Sequence, residues 1–323
     1  MKIAPPIGLL ICSSISCWLL FNVSLVAETA PVAPRGAGPE PAFPAYLGSF
    51  TDSLSGARAT RITGDQGQPI PNTNTKWAGR TRSVYNLKQV WSADEKLLFL
   101  GIGGPLLLDG ETYQVLHPWG PPAPGTWHPA RPDVMINVKD NAVCEWNARS
   151  NVTRQLVRLA GYADFVQSSS EDWISADGRL IGVTARREAD GKDVGFLVDL
   201  DAGWPEHPNY YGEVSWSLRE DKLRTLGPAG SHTPGRALRL PGWVFASTFG
   251  KGGTVFMVKL DGSGETRTVC QTWHREPVNH RAQTQAVPSP SGARVLFASN
   301  WGTGPDYNDE ETHSFVADLR IKR

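Results

Sequence analysis

The sequence predicts an all-β fold, specifically a β-propeller of four-stranded blades. A strand–turn–strand unit recurs at a spacing of 46 residues, from Trp127 to Trp173 and again from Trp243 to Ser289. Its strong copies each carry a short apolar run of β-rich composition behind a polar turn. The 33 Gly and 25 Pro, with 12 Trp and only 3 Met, describe a turn-rich, aromatic-anchored chain rather than a helical bundle.

Residues 1–27 read as a secretory signal peptide: Lys2, then apolar sequence from Ile7 to Val26, then Ala27 before Glu28. The alternative is an uncleaved anchor, since the apolar stretch is long for a signal and broken by Ser13, Ser14 and Ser16. Ser14-Ile15-Ser16-Cys17 has the look of a lipid-attachment site, but apolar sequence continues through Phe21, where such a site has already ended. On either reading the body leaves the cytoplasm, and the expected location is secreted or periplasmic. Residues 28–44, rich in Ala and Pro with almost nothing to bury, read as a disordered spacer. Residues 45–323 then form a single propeller domain that starts near Tyr46.

Within the body, Trp91 to Leu100, Trp173 to Val183 and Pro288 to Ser299 align as a strand end, a tight polar turn and an apolar strand. Ser and Asp bond nearby backbone groups in such a turn, and Gly accepts positive φ. The runs Leu97 to Leu100, Leu180 to Thr184 and Val295 to Ala298 suit strands buried on both faces. A second strand follows each copy. Weaker copies lie at Val134 to Leu159, without the polar turn, and at Trp243 to Gly262. A solenoid or a two-sheet sandwich accounts less well for this unit. The length of the body divided by the period gives about six blades. The irregular stretch from Asn209 to Leu240 leaves five to seven open. Arg58 to Gly64 looks like an outer strand lacking inner partners, so it is expected to complete the last blade beside the C-terminal strands.

The strong copies resemble the TolB-type propeller repeat of secreted and periplasmic bacterial proteins, in which Ser-Pro-Asp-Gly and a basic residue precede an apolar strand ending near Ser-Asn. Pro288 to Trp301 is the clearest match, with Ser291 in place of Asp. The same stretch looks like the corresponding blade of oligogalacturonate lyases, propellers that cleave acidic sugars with a metal ion. That resemblance implies metal ligands in a Gln-x-x-His-x-His cluster. Gln283 matches, whereas Ala286 and Pro288 occupy the histidine positions and neither coordinates through a side chain. No cofactor is therefore expected, and a divalent metal has no support in the ligand set.

With 32 Lys+Arg against 32 Asp+Glu, zero net charge gives no bulk case for nucleic-acid or anionic-membrane partners. Serine-nucleophile elbows are missing, and Gly250-Lys251-Gly252-Gly253 reads as a hairpin turn rather than a phosphate loop. The candidate ligand-binding residues are Glu171, Asp172 and Trp173 before the second strong copy, and His274, Arg275, His280, Arg281 and Gln283 before the third. Paired acids beside an aromatic suit acid–base work or a cation, and the basic group suits carboxylate or phosphate. Turn capping and solvation explain the same residues without function. His128, after Trp127, is read as satisfying a backbone carbonyl. The loop Asp306 to Glu311 reads as an acidic surface loop, lacking the spacing of a helix-loop-helix calcium site. Trp91, Trp173 and Trp243 read as packing anchors; Trp119, Trp127, Trp204 and Trp301 stand near turns, where sugar stacking competes with core packing. Cys144 and Cys270 either form one disulfide or remain two buried thiols in separate strands. Two functions remain: a monomeric binding or scaffold module for a polysaccharide or protein partner, or a carbohydrate-active enzyme of polysaccharide-lyase type with a diverged metal site.

Overall fold

The computed structural model describes residues 41–83, 88–123, 125–158, 160–166, 173–191, 193–200, 237–248, 253–261, 263–274, 283–301 and 311–320. The signal peptide, the spacer as far as residue 40, the irregular stretch up to residue 236 and the acidic loop at 306–310 lie outside these residues. Among them there is no α-helix, and no helix is long and apolar enough to cross a membrane.

The strands form five antiparallel sheets in sequence order. Near the N-terminus β1 (Ser49–Thr51) and β2 (Arg58–Arg61) make a hairpin that belongs to the last sheet. The first sheet holds β3 (Leu97–Leu100), β4 (Leu106–Asp109) and β5 (Val115–His117). The second holds β6 (Gly125–Trp127), β7 (Val134–Lys139), β8 (Ala142–Asn147) and β9 (Val152–Arg158). The third is β10 (Tyr162–Val166), β11 (Leu180–Arg187) and β12 (Asp193–Asp199), and the fourth β13 (Trp243–Ser247), β14 (Thr254–Lys259) and β15 (Thr266–Gln271). The fifth runs β16 (Val287–Pro288), β17 (Arg294–Ser299) and β18 (His313–Asp318), then β2 and β1.

Strand β2 pairs with β18, with Thr60 opposite Val316, so the early outer strand finds the inner partners it lacked in sequence. With β1 added, this sheet has five strands instead of four. Packing also begins ahead of Tyr46. Phe43, in the stretch read as spacer, packs tilted or edge-on against Trp301, His313 and Phe315, and the Arg61 guanidinium lies 4.3 Å from its ring centroid.

The continuous apolar runs follow from the sheets' arrangement, because a strand covered on both faces sends alternate side chains to different neighbours. In β3, Leu98 and Leu100 face a core shared with Val287, Leu296 and Val316 of the fifth sheet. Leu97 and Phe99 face Trp127, Met135 and Trp146 of the second. Val134, Ile136 and Val138 of the second sheet meet Ile174, Ile181 and Val183 of the third. Phe245, Val255 and Met257 of the fourth meet Val295, Phe297 and Phe315 of the fifth. The packing order is therefore fourth, fifth, first, second, third, the succession of propeller blades. Cys144 in β8 and Cys270 in β15 are free buried thiols of two different sheets.

Candidate functional site

The polar turns of the strong copies are built alike. In the first, Glu95 N–H donates to Ser92 O at 2.9 Å, Ser92 Oγ accepts from Leu97 N–H, and Asp94 Oδ1 accepts from Lys96 N–H. The second repeats this with Gly178, Ser175 and Asp177, the third with Gly292, Ser289 and Ser291. The residue after the acid or serine is left-handed in all three, at φ 80° for Gly178, 69° for Gly292 and 62° for Glu95. Only the first copy places a side chain there, a conformation that costs about 1 kcal/mol or more without glycine.

The joints between sheets explain the exception. A Cβ on Gly178 would strike the ring of His128 from the second sheet, and one on Gly292 would strike Leu240, just before the fourth. At the joint of fifth and first sheets the chain meets charge instead. Buried Glu95 accepts from Arg294 Nη2 at 2.9 Å, from Ser291 N–H at 2.6 Å and from Arg239 Nη2 at 2.5 Å. Arg294, 1% exposed, also lies 4.3 Å from the Trp91 ring centroid and donates to Gly110 O. Burial alone would raise the Glu95 carboxyl, but the bonds from Arg294, Ser291 and Arg239 outweigh it and lower it from the ordinary 4.5 to about 2.

Beside this clasp lies a pocket of about 260 Å³ to which all five sheets or their leading segments contribute. Trp91 and Trp127 form its floor, and Ala93, Ala176, Leu238 and Arg239 stand on its rim. The floor is rigidly tied: Trp127 Nε1 donates to Val90 O at 2.9 Å, and Gln89 bridges Trp91 N–H to Pro288 O. His128 Nδ1 accepts from Ala130 and Arg131 N–H, so it satisfies two backbone donors, and Nε2 carries the ring proton. Leu238 is 43% exposed. Arg239 donates to Ala93 O as well as to Glu95. A second recess, about 490 Å³, lies at the edge where β1 and β2 meet the β4–β5 turn; within it Arg320 holds Asp318 at 2.6 Å and Glu111 at 3.1 Å.

The opposite end of the strands carries His274 and Gln283. His274 is buried, its Nδ1 2.9 Å from Thr272 Oγ1. Thr272 N–H donates to Gly253 O, and Thr284 Oγ1 donates to Thr248 O, linking fourth and fifth sheets. Half-buried Gln283 has an enclosed Oε1 without a hydrogen-bond partner among the described residues. Next to it, Gln285, at φ 44°, accepts from Arg82 Nη1 at 2.8 Å. Nearby His313 is buried and lowered to about 3, by burial first and then by the Arg61 charge; its Nδ1 accepts from Arg61, so the ring is neutral.

Trp173 is a core residue, 7% exposed between second and third sheets. Glu171, Asp172, Arg275, His280 and Arg281 lie outside the described residues, as does Trp204. The structure thus puts His274 and Gln283 at one end and Trp173 in a core. Trp91, Trp127 and Trp301 are at most 2% exposed, which makes them packing residues rather than stacking platforms. Glu95, Arg239, Leu238, Arg82 and Gln285 had escaped the sequence reading. Only Glu95 left a signal, as the residue that breaks the glycine position of the repeat. Among the described residues no group of three or more His, Cys, Asp or Glu is placed to hold a metal ion.

No family model matches the chain, and no curated protein sequence matches it. Among solved structures, an oligogalacturonate lyase in complex with manganese is similar at a TM-score of 0.49 and 12% identity, over 87% of this chain and 98% of that one. The oligogalacturonate lyase of Vibrio parahaemolyticus gives 0.46 and 11%, over the same shares of 87% and 98%. The β-propeller domain of the Trilobed protease from Pyrococcus furiosus gives 0.24 and 12%, over 71% and 63%.

Proposed function

We propose that the protein is an exported, monomeric β-propeller that binds a protein or peptide partner in the pocket where its sheets converge. The observation that carries this reading is the pocket's make-up. Its volume of about 260 Å³ suits one apolar side chain, its floor is held by bonds between sheets, and its rim offers exposed Leu238 and the Arg239 guanidinium. Trp91 and Trp127 expose 0% and 2% of their surface, so no open ring face favours a polysaccharide there. A partner with a buried apolar anchor and a neighbouring acidic group complements this lining. Six blades, from the repeat period, and export by the residue 1–27 leader belong to the same proposal.

The lyase reading would require coordination from the strand segment that carries Ala286 and Pro288, both buried and without ligating side chains. A displayed-peptide selection against the mature protein, with neutral and acidic oligosaccharides in parallel, tests the assignment. The expected ligands are peptides with an apolar residue beside an acid, and Ala176→Trp, on the exposed rim, abolishes their binding without changing Tm. Oligosaccharide binding alone, or peptide binding indifferent to Ala176→Trp, would overturn it.

A further inference from the structure

Three arginines among the described residues are more than nine-tenths buried: Arg61, Arg82 and Arg294. Arg61 holds Asp65 at 2.5 Å, and Arg294 holds Glu95 at 2.9 Å. Arg82 differs. Its hydrogen bonds go to two neutral acceptors, Gln285 Oε1 at 2.8 Å and Ser83 O at 3.3 Å, and its Nε is enclosed without a partner. No carboxylate among the described residues pairs with it. Beyond burial, the Arg80 charge also disfavours its own. A buried cation left without a counter-charge is strongly unfavourable, and buried charges are ordinarily paired.

The surrounding groups are arranged to receive an acid. Because an arginine only donates, the Gln285 amide must turn its oxygen to Arg82, which leaves Gln285 Nε2 as a further donor. Gln285 is itself 2% exposed and held at φ 44°, the kind of local strain that collects at ligand-holding positions. The segment bearing the arginines is fixed at both ends, Arg80 bridging to Thr312 of the fifth sheet and Arg82 to Ile102 after β3. We infer that Arg82, with Arg80 and Gln285, forms a receptor for the carboxylate of a small organic acid, on the end of the strands opposite the aromatic pocket. A planar guanidinium matches a carboxylate in two-point contact, and with only 8% of Arg82 exposed the site admits a small acid more readily than a folded surface. This site is independent of the peptide pocket.

Thermal-shift titrations with acetate and malonate, matched in ionic strength by sodium chloride and with inorganic phosphate as a further arm, test it. The expected result is a saturating rise in Tm with malonate or acetate over chloride, weakened at least tenfold in affinity by Arg82→Gln and severalfold by Arg80→Gln. Arg80 is only half-buried, so its variant decides the matter if Arg82→Gln fails to fold. No rise, a rise equal to that with chloride, a rise with phosphate alone, or one that survives both substitutions would overturn the assignment.

Discussion

Glu95 and Arg82 are both buried charges carried by the first sheet or the segment leading into it, one at each end of the strands, and they are treated in opposite ways. Glu95 receives two arginines and a backbone amide from other sheets. Arg82 receives two neutral oxygens. The first arrangement is a structural clasp: it lets a non-glycine residue occupy a left-handed turn position and ties the first sheet to the fourth and fifth. The second leaves a charge uncompensated among the described residues, and the proposed carboxylate site rests on that difference.

The sharpest way to break the comparison is Arg294→Ala. It strips the buried Glu95 of its enclosed partner and is expected to cost about 3–5 kcal/mol in urea unfolding. Arg239→Ala, at a guanidinium whose side chain is 54% exposed, should cost under about 1 kcal/mol by the same measurement. Acid titration comes next. Glu95 has a depressed carboxyl, so its contribution is fully present above the ordinary 4.5 and is lost as pH falls through about 2. The loss is about 3 kcal/mol by linkage, and a Tm-against-pH profile of Glu95→Gln should lack it between pH 4.5 and 2. Gly178→Ala, which adds a methyl at φ 80° against the His128 ring, should destabilise by about 1–3 kcal/mol in the same unfolding assay. Smallest of all, Arg82→Gln without ligand should leave stability within about 1 kcal/mol of the parent, because relief of an unpaired buried charge offsets the loss of its two hydrogen bonds.

The strands and turns were legible because their determinants are local. Ser175, Asp177 and Gly178 sit within four residues and make one another's turn, and apolar runs such as Leu97 to Leu100 announce cover on both faces. Even the outer strand Arg58–Arg61 was readable, as a strand in search of partners. The candidate sites were far less so, since their contacts join distant parts of the chain. Arg239 meets Glu95 across 144 residues, and Arg82 meets Gln285 across 203. Nothing in the local sequence around Arg239 or Gln285 encodes those meetings. His274 and Gln283 were singled out for their chemistry and do share an end of the strands, while Trp173 was singled out for its place beside two acids and turned out to fill a core.

The pairing of β2 with β18 has a kinetic consequence. Arg61 lies opposite Phe315, so the fifth sheet joins segments some 250 residues apart, and its loop must close before either partner gains from the contact. The earlier strands can meander into local hairpins as the chain is made, but this sheet waits for residue 318, the end of β18. A chain cut short before that point would carry an open β17 edge and an unmated β2. Completion of the fifth sheet is thus gated by arrival of β18, and truncation before it should act on the rate and yield of folding before it acts on any binding surface.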